Sequence, residues 1–337
     1  MERVILAGIL GMVIAIVAGP KFIEFLRRNE LGQHIREEGP AGHVVKQGTP
    51  VMGGLLIVIG AALPFFALSH YTVQAFAVFA VTVGCAAVGF LDDFIKLTHR
   101  RSLGLNGRWK LLLLAGITFM LGWAAFHEDL ETRVYVPGVG SLDLWWLWYG
   151  LLFFVIAGAA NGVNLTDGID GLAAGTGIIA LITFTAINVF TSIRLGQPAF
   201  EGQREAYLDM AILGGALAGA AIGFLWFNAF PADVFMGDTG SMAIGGALGA
   251  FAVMTKTELL LLLVGGIFVI EALSVILQVA SFKYWGRRIF LMAPIHHHFE
   301  MKAWSETKIM VRFWIVAAIL CGVAFALYRQ YFPEFPR

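Results

Sequence analysis

Charge is what this sequence most lacks. Asp, Glu, Lys and Arg make up 14% of its 337 residues, while apolar and aromatic residues reach 58%. Soluble globular domains carry about 25% charge. A water-soluble fold of this size is therefore excluded. Cysteine is nearly absent as well. Cys85 and Cys321 each lie inside an apolar stretch, which leaves neither a disulfide framework nor a paired-thiolate metal site. Net charge is missing too, with 23 Lys+Arg against 23 Asp+Glu, so no nucleic-acid partner is expected. No low-complexity linker and no clear internal repeat divides the chain, and residues 1–337 read as one domain.

What the sequence has is long apolar stretches, near 4–25, 51–68, 73–91, 111–126, 144–160, 171–193, 210–230, 242–254, 259–280 and 310–327. A bilayer-spanning helix needs about 20 apolar residues. The expectation is an all-α polytopic integral membrane protein with ten transmembrane helices. The first stretch, from Val4, runs through Gly19-Pro20 without a small-residue cleavage site and is expected to be a retained helix. Met242 to Met254 is short and glycine-rich, so a re-entrant segment is open there, and loop charge must arbitrate. If all ten stretches cross, 16 of the 23 Lys+Arg follow odd-numbered helices. By the positive-inside rule those loops, near 26–50, 92–110, 161–170, 228–241 and 281–309, are cytoplasmic, and both termini face the periplasm. On the outer side, Arg133 to Leu144 alternates about Pro137-Gly138, which predicts a small periplasmic β-hairpin. Trp145, Trp146, Trp148 and Tyr149 follow as an interfacial aromatic belt.

Chemistry-bearing residues gather on the same side as the cations. Asp92, Asp93, Asp167, Asp170, Asp233 and Asp238, six of nine aspartates, and the run His296-His297-His298 all fall in odd-numbered loops. Adjacent carboxylates such as Asp92 and Asp93 repel unless a cation or a proton sits between them. Lys96, one turn on, can make an ordinary helix ion pair. Alternatively, hard oxygen ligands at the hydrocarbon boundary suit Mg²⁺, which binds one or two carboxylates together with substrate phosphates. NGVNLTDGIDG (161–171) can present backbone N–H groups and carboxylates to a polar ligand, or cap the next helix. NAFPADVFMGDTGS (228–241) offers the same choice, with Asp238, Thr239 or Ser241 as a helix cap. Consecutive histidines lack the i, i+4 spacing of a helical zinc site, so phosphate binding or proton handling suits them better. GTPVMGG (48–54), after Lys46, allows close packing or ligand approach. Glu271, in the ninth stretch, must face protein or a wet groove.

Taken together, GTPVMGG, GFLDDFIK, NGVNLTDGIDG, NAFPADVFMGDTGS and RRIFLMAPIHHHFE resemble the phospho-N-acetylmuramoyl-pentapeptide-transferase family, over nearly the whole chain. The aspartate loops are shared with the wider superfamily of polyprenyl-phosphate hexosamine phosphate transferases, whereas APIHHHFE resembles the muramoyl-pentapeptide branch. The resemblance implies ten membrane helices with both termini outside, a homodimer in the bacterial inner membrane, and an active site on the cytoplasmic face. It implies transfer of phospho-N-acetylmuramoyl-pentapeptide from its UDP carrier to undecaprenyl phosphate, giving lipid I and UMP, with Mg²⁺ as cofactor. By the same resemblance Asp92, Asp93, Asp238, Lys96 and His297 are catalytic positions. Asp238 is the metal ligand, Asp92 the base toward the lipid phosphate, and Asp93 a support for the metal and diphosphate. Lys46, Asn164, Asp167, Gly168, Ile169, Asp170, Asn228, Phe235, His296 and His298 are implied to bind substrate. Two positions depart from the family pattern: Val51, where Thr is frequent, and Ala303, where Gly is common. The rival readings are a transferase for another UDP-N-acetylhexosamine and, from a different class, a secondary transporter, which would place its site nearer the membrane midplane.

Overall fold

Apolar runs with no polar face fold as helices, because in hydrocarbon each backbone N–H and C=O must be paired within its own segment. The computed structural model, which describes residues 1–29, 48–99, 104–136 and 138–331, follows that rule. In chain order its elements are α1 (Glu2–Arg28), α2 (Gly54–Leu68), α3 (Val73–Thr98), α4 (Gly107–His127), β1 (Arg133–Val136), β2 (Gly140–Asp143), α5 (Leu147–Thr166), α6 (Leu172–Arg194), α7 (Glu201–Asn228), α8 (Gly237–Met254), α9 (Leu261–Val264), α10 (Gly266–Trp285), α11 (Ile295–Glu300) and α12 (Glu306–Tyr331). Eight of the described helices, α1, α3 to α7, α10 and α12, are long and apolar enough to cross a membrane. The chain is a multi-pass membrane protein. Helix α2 is a shorter apolar helix of 15 residues.

Helix α1 illustrates the packing. Its buried residues, Val4, Ala7, Gly11, Ala15, Gly19, Ile23 and Leu26, recur every three or four positions and form one narrow stripe. Ile5, Leu6, Ile9, Val13 and Val17, on the other faces, are exposed and equally apolar. A soluble amphipathic helix would carry polar residues there. Helices α7 and α8 lie at the centre, with α1, α2 and α6 packed on α7 and α3, α5 and α2 on α8. In α8 every residue from Thr239 to Met254 is buried.

Four of the expected loops are partly helical. Helix α3 continues through Asp92 and Asp93 to Thr98, and α5 continues through Asn161 to Thr166. Helix α8 starts at Gly237, with Met236 at its N-cap and no side-chain cap, so Asp238, Thr239 and Ser241 lie within the helix and do not cap it. The segment 281–309 holds the end of α10, all of α11 and the start of α12. The ninth apolar stretch divides at Gly265 into α9 and α10.

The expected hairpin is present as β1 and β2, antiparallel, with Arg133 opposite Asp143 and Val134 opposite Leu142. Trp145 and Trp146 behind it are exposed. Trp148 departs from the expected belt. It is fully buried, its indole N–H donates to Glu258 Oε1 at 2.8 Å, and Lys256 Nζ lies 3.9 Å from the ring centroid. An indole packs in a protein interior when its N–H finds an acceptor, and here the acceptor comes from 110 residues away.

Candidate active site

The centre of the site is the meeting of the end of α3 with the start of α8. Gly89 makes the approach possible, since a side chain there would collide with the Asp238 carbonyl. The carboxylate of Asp93 receives the first amides of α8: Asp238 N–H at 3.1 Å, and Thr239 N–H at 3.0 Å with its hydroxyl at 2.7 Å. The first N–H groups of a helix have no partner within it, and a carboxylate is favoured there. Asp93, one of the expected catalytic aspartates, thus holds Asp238 in place beside Asp92.

Two lysines bridge the remaining carboxylates. Lys96 Nζ lies 2.6 Å from Asp92 Oδ2 and 3.1 Å from Asp238 Oδ1. Lys110 Nζ, from the first turn of α4, lies 3.0 Å from Asp238 Oδ2 and 3.9 Å from Asp92 Oδ1. Asp92 Oδ1 also accepts from the Leu105 backbone N–H at 2.9 Å. One oxygen from each of Asp92, Asp93 and Asp238 falls within 4.8 Å of the others, close enough for one cation to meet all three. Lys110 was absent from the sequence expectations for the site. A cation at a span boundary reads as a topology signal, and nothing local links it to an aspartate 128 positions later.

A second layer surrounds this centre. Asn164, in the last turn of α5, donates to Ser241 Oγ at 3.0 Å. Asp167, just beyond α5, receives the Gly237 N–H, and its carboxyl is pushed up to about 8 by burial, with the charges of Asp238, Asp93 and Asp170 adding to the effect. Asp170 accepts from Ala232 N–H at 3.1 Å. Asn228 joins the two loops, accepting from Gly171 N–H at 3.1 Å and donating to the Val234 carbonyl at 2.9 Å. Ile169 packs its side chain into a small apolar cluster with Leu172, Ile267, Ile309 and Phe313, so it anchors the loop from beneath. The GTPVMGG segment is tied to the lead-in of α8. Phe235 N–H donates to the Pro50 carbonyl at 2.8 Å, and Gly53 and Gly54 donate to the Phe235 and Met236 carbonyls, both at 2.9 Å. The Phe235 ring is half-buried. Lys46 lies outside the described residues.

The histidines occupy α11 and have separate partners. His296 is fully buried against Glu271 and the Gly168 turn. His297 Nδ1 pairs with Glu300, a partner missed from sequence, and His298 Nδ1 accepts from Leu291 N–H at 3.1 Å. The His296 and His297 rings nevertheless pack together, with centroids 4.1 Å apart. Asp233, by contrast, is exposed, and its carboxylate lies 3.5 Å from Arg27.

The model of glycosyl transferase family 4 matches residues 75–256, a span that contains Asp92, Asp93, Lys96, Lys110, the 161–171 loop and Asp238, and stops before the histidines. The phospho-N-acetylmuramoyl-pentapeptide-transferase of Halalkalibacterium halodurans is 45% identical over 97% of this chain and 98% of its own length. Those of Rubrobacter xylanophilus, at 44% over 97% and 98%, and Shouchella clausii, at 46% over 92% and 93%, are similarly close. The chain belongs to the phospho-N-acetylmuramoyl-pentapeptide-transferase family, and it is an enzyme.

Proposed function

We propose that this enzyme transfers phospho-N-acetylmuramoyl-pentapeptide from UDP-N-acetylmuramoyl-pentapeptide to undecaprenyl phosphate, releasing UMP and forming lipid I, the first membrane step of peptidoglycan synthesis. The observation that carries the reading is the cluster of Asp92, Asp93 and Asp238 with Lys96 and Lys110, beside the loop that ends α5. We place it on the cytoplasmic face of the bacterial inner membrane. Two crossings, α2 and α8, are then added to the eight, giving ten transmembrane helices with both termini and the hairpin in the periplasm, as the loop charge suggests. A single domain over 1–337, working as a homodimer, completes this picture.

The donor set suits Mg²⁺. Three carboxylates and two ammonium groups leave one formal negative charge, and all the anionic donors are hard oxygens of the kind that ion prefers. Asp238 would hold it, steadied by Asp93, with Asp92 alongside. When bound, Mg²⁺ supplies screening of the diphosphate oxygens.

The protein's own groups account for the rest. Two anions must meet, and the Lys96 and Lys110 ammonium groups lower their repulsion at the place of contact. Asp92, held by Leu105 N–H and Lys96, receives the proton of a monoanionic lipid phosphate. A lipid phosphate oxygen then bonds to the sugar-linked phosphorus, the bond from that phosphorus to the bridging oxygen breaks, and the electron pair leaves with UMP. Placement governs such a transfer more than covalent chemistry does. Asn164, Asp167, Gly168, Asp170, Asn228 and Phe235, with Lys46, hold the nucleoside end, while Ile169 fixes their loop. His297 and His298 line the approach of the sugar phosphate, and His296, fully buried, acts on substrate from behind the Gly168 turn.

The test is UMP release by the purified enzyme with undecaprenyl phosphate and Mg²⁺. UDP-N-acetylmuramoyl-pentapeptide should be turned over and UDP-N-acetylglucosamine should not. Preferential use of the second nucleotide would reassign the substrate.

A further inference from the structure

Glu271 is the one buried acid of α10, and the proposed chemistry makes no use of it. Its side chain is fully enclosed near the start of a membrane-crossing helix, where an uncompensated carboxylate is strongly disfavoured. What faces it is His296. Oε1 lies 3.1 Å from His296 Nδ1, and Oε2 accepts from the His296 backbone N–H at 3.4 Å. The 3.1 Å approach is close enough for an ion pair yet poorly aligned, so Glu271 Oε1 and both His296 ring nitrogens make no hydrogen bond among the described residues. The other edge of the same imidazole presses on the nucleotide loop. A methyl group built on Gly168 would collide with His296 Nε2. A carboxylate, an imidazole and a glycine turn are thus in contact one after another, ending at the loop that carries Asp167 and Asp170.

We propose that Glu271 is a positioning residue, which sets the ring of His296 and, through it, the height of the Gly168 turn in the nucleotide-binding loop. This rests on the reading of the 164–171 segment as the nucleoside site. The loop is pinned on its far side by Asn228 and on its underside by Ile169. His296 is the contact on the near side, and Glu271 is what holds His296. Hydrogen bonds of active sites are often long or misaligned before substrate arrives and tighten in the complex. Nucleotide binding is the event that closes this pair. Glycine at 168 is required because any Cβ would push the ring and the loop apart.

The experiment is titration calorimetry of the purified full-length protein with UMP, alongside thermal denaturation. Wild type should bind UMP, and folded Glu271→Ala should bind at least about tenfold more weakly. Glu271→Asp should recover part of the loss, and the double variant Glu271→Ala/Gly168→Ala should lose less than the two single losses combined, because both act through His296. A role confined to packing would lower the melting temperature and leave UMP affinity untouched. Wild-type affinity in folded Glu271→Ala overturns the proposal. If that variant does not fold, Glu271→Gln decides in its place, with weakened UMP binding expected and unchanged binding overturning the proposal. Failure of wild type to bind UMP overturns the nucleotide reading itself, and the proposal with it.

Discussion

At the scale of single residues, the two aspartates that bracket the start of α8 do different work. Asp238 meets two lysines, while Asp93 is committed to the helix amides. Asp238→Asn should therefore stay folded and lose turnover by at least about 100-fold, since an amide is a much poorer ligand for a hard cation and a weaker partner for lysine. Asp93→Ala should lower the melting temperature as well as activity, because it strips the acceptors from the first turn of α8. Asp167 allows a test by pH. Its carboxyl, raised from the ordinary 3.8 to about 8 chiefly by burial, keeps a proton in the folded state that the unfolded chain gives up. Its contribution to stability therefore falls as pH rises between those values. Melting temperatures of wild type without divalent cations should decline across this window relative to Asp167→Asn. Parallel profiles for the two proteins would show that the Asp167 carboxyl does not hold its proton across this window.

At the scale of elements, the close crossing of α3 on α8 sets the distance between Asp92 and Asp238. Gly89→Ala should force the two helices apart and lower turnover by about 100-fold, the size of loss that a displacement near 1 Å produces. Turnover close to wild type in that variant would show that the crossing can yield. The apolar stretches announced the helices themselves, because unbroken hydrophobic runs near 20 residues have few other folds. The helix ends were not legible. Residues 92–98, 161–166 and 237–241 are polar enough to read as loops, yet they are helical because their side chains have distant partners: Asp93 on Thr239, Lys96 on Asp238, Asn164 on Ser241. The burial of Trp148 was hidden for the same reason, its acceptor being Glu258. In the candidate site, the aspartates stood out by their adjacency and their glycine-rich settings. Lys110 carries no such local mark, whereas Glu300 stands three residues after His297 in the APIHHHFE run, a helical spacing that could have revealed the pair.

At the scale of the whole molecule, the site needs one face of the membrane and the topology must supply it. With Cys85 and Cys321 replaced, a single cysteine at His99 should be labelled from the cytoplasm and one at Gly138 from the periplasm. The reverse pattern would invert the topology and strand the site on the wrong side of its nucleotide. The central claim, that the aspartate and lysine cluster performs transfer of a phospho-sugar onto a polyprenyl phosphate, is met most directly by mass spectrometry of the lipid product in proteoliposomes. Wild type given UDP-N-acetylmuramoyl-pentapeptide, undecaprenyl phosphate and Mg²⁺ should form undecaprenyl-diphospho-N-acetylmuramoyl-pentapeptide, one for each UMP released, and Asp238→Asn should form almost none. Failure of wild type to form that lipid, or its formation by Asp238→Asn at the wild-type rate, would contradict the account.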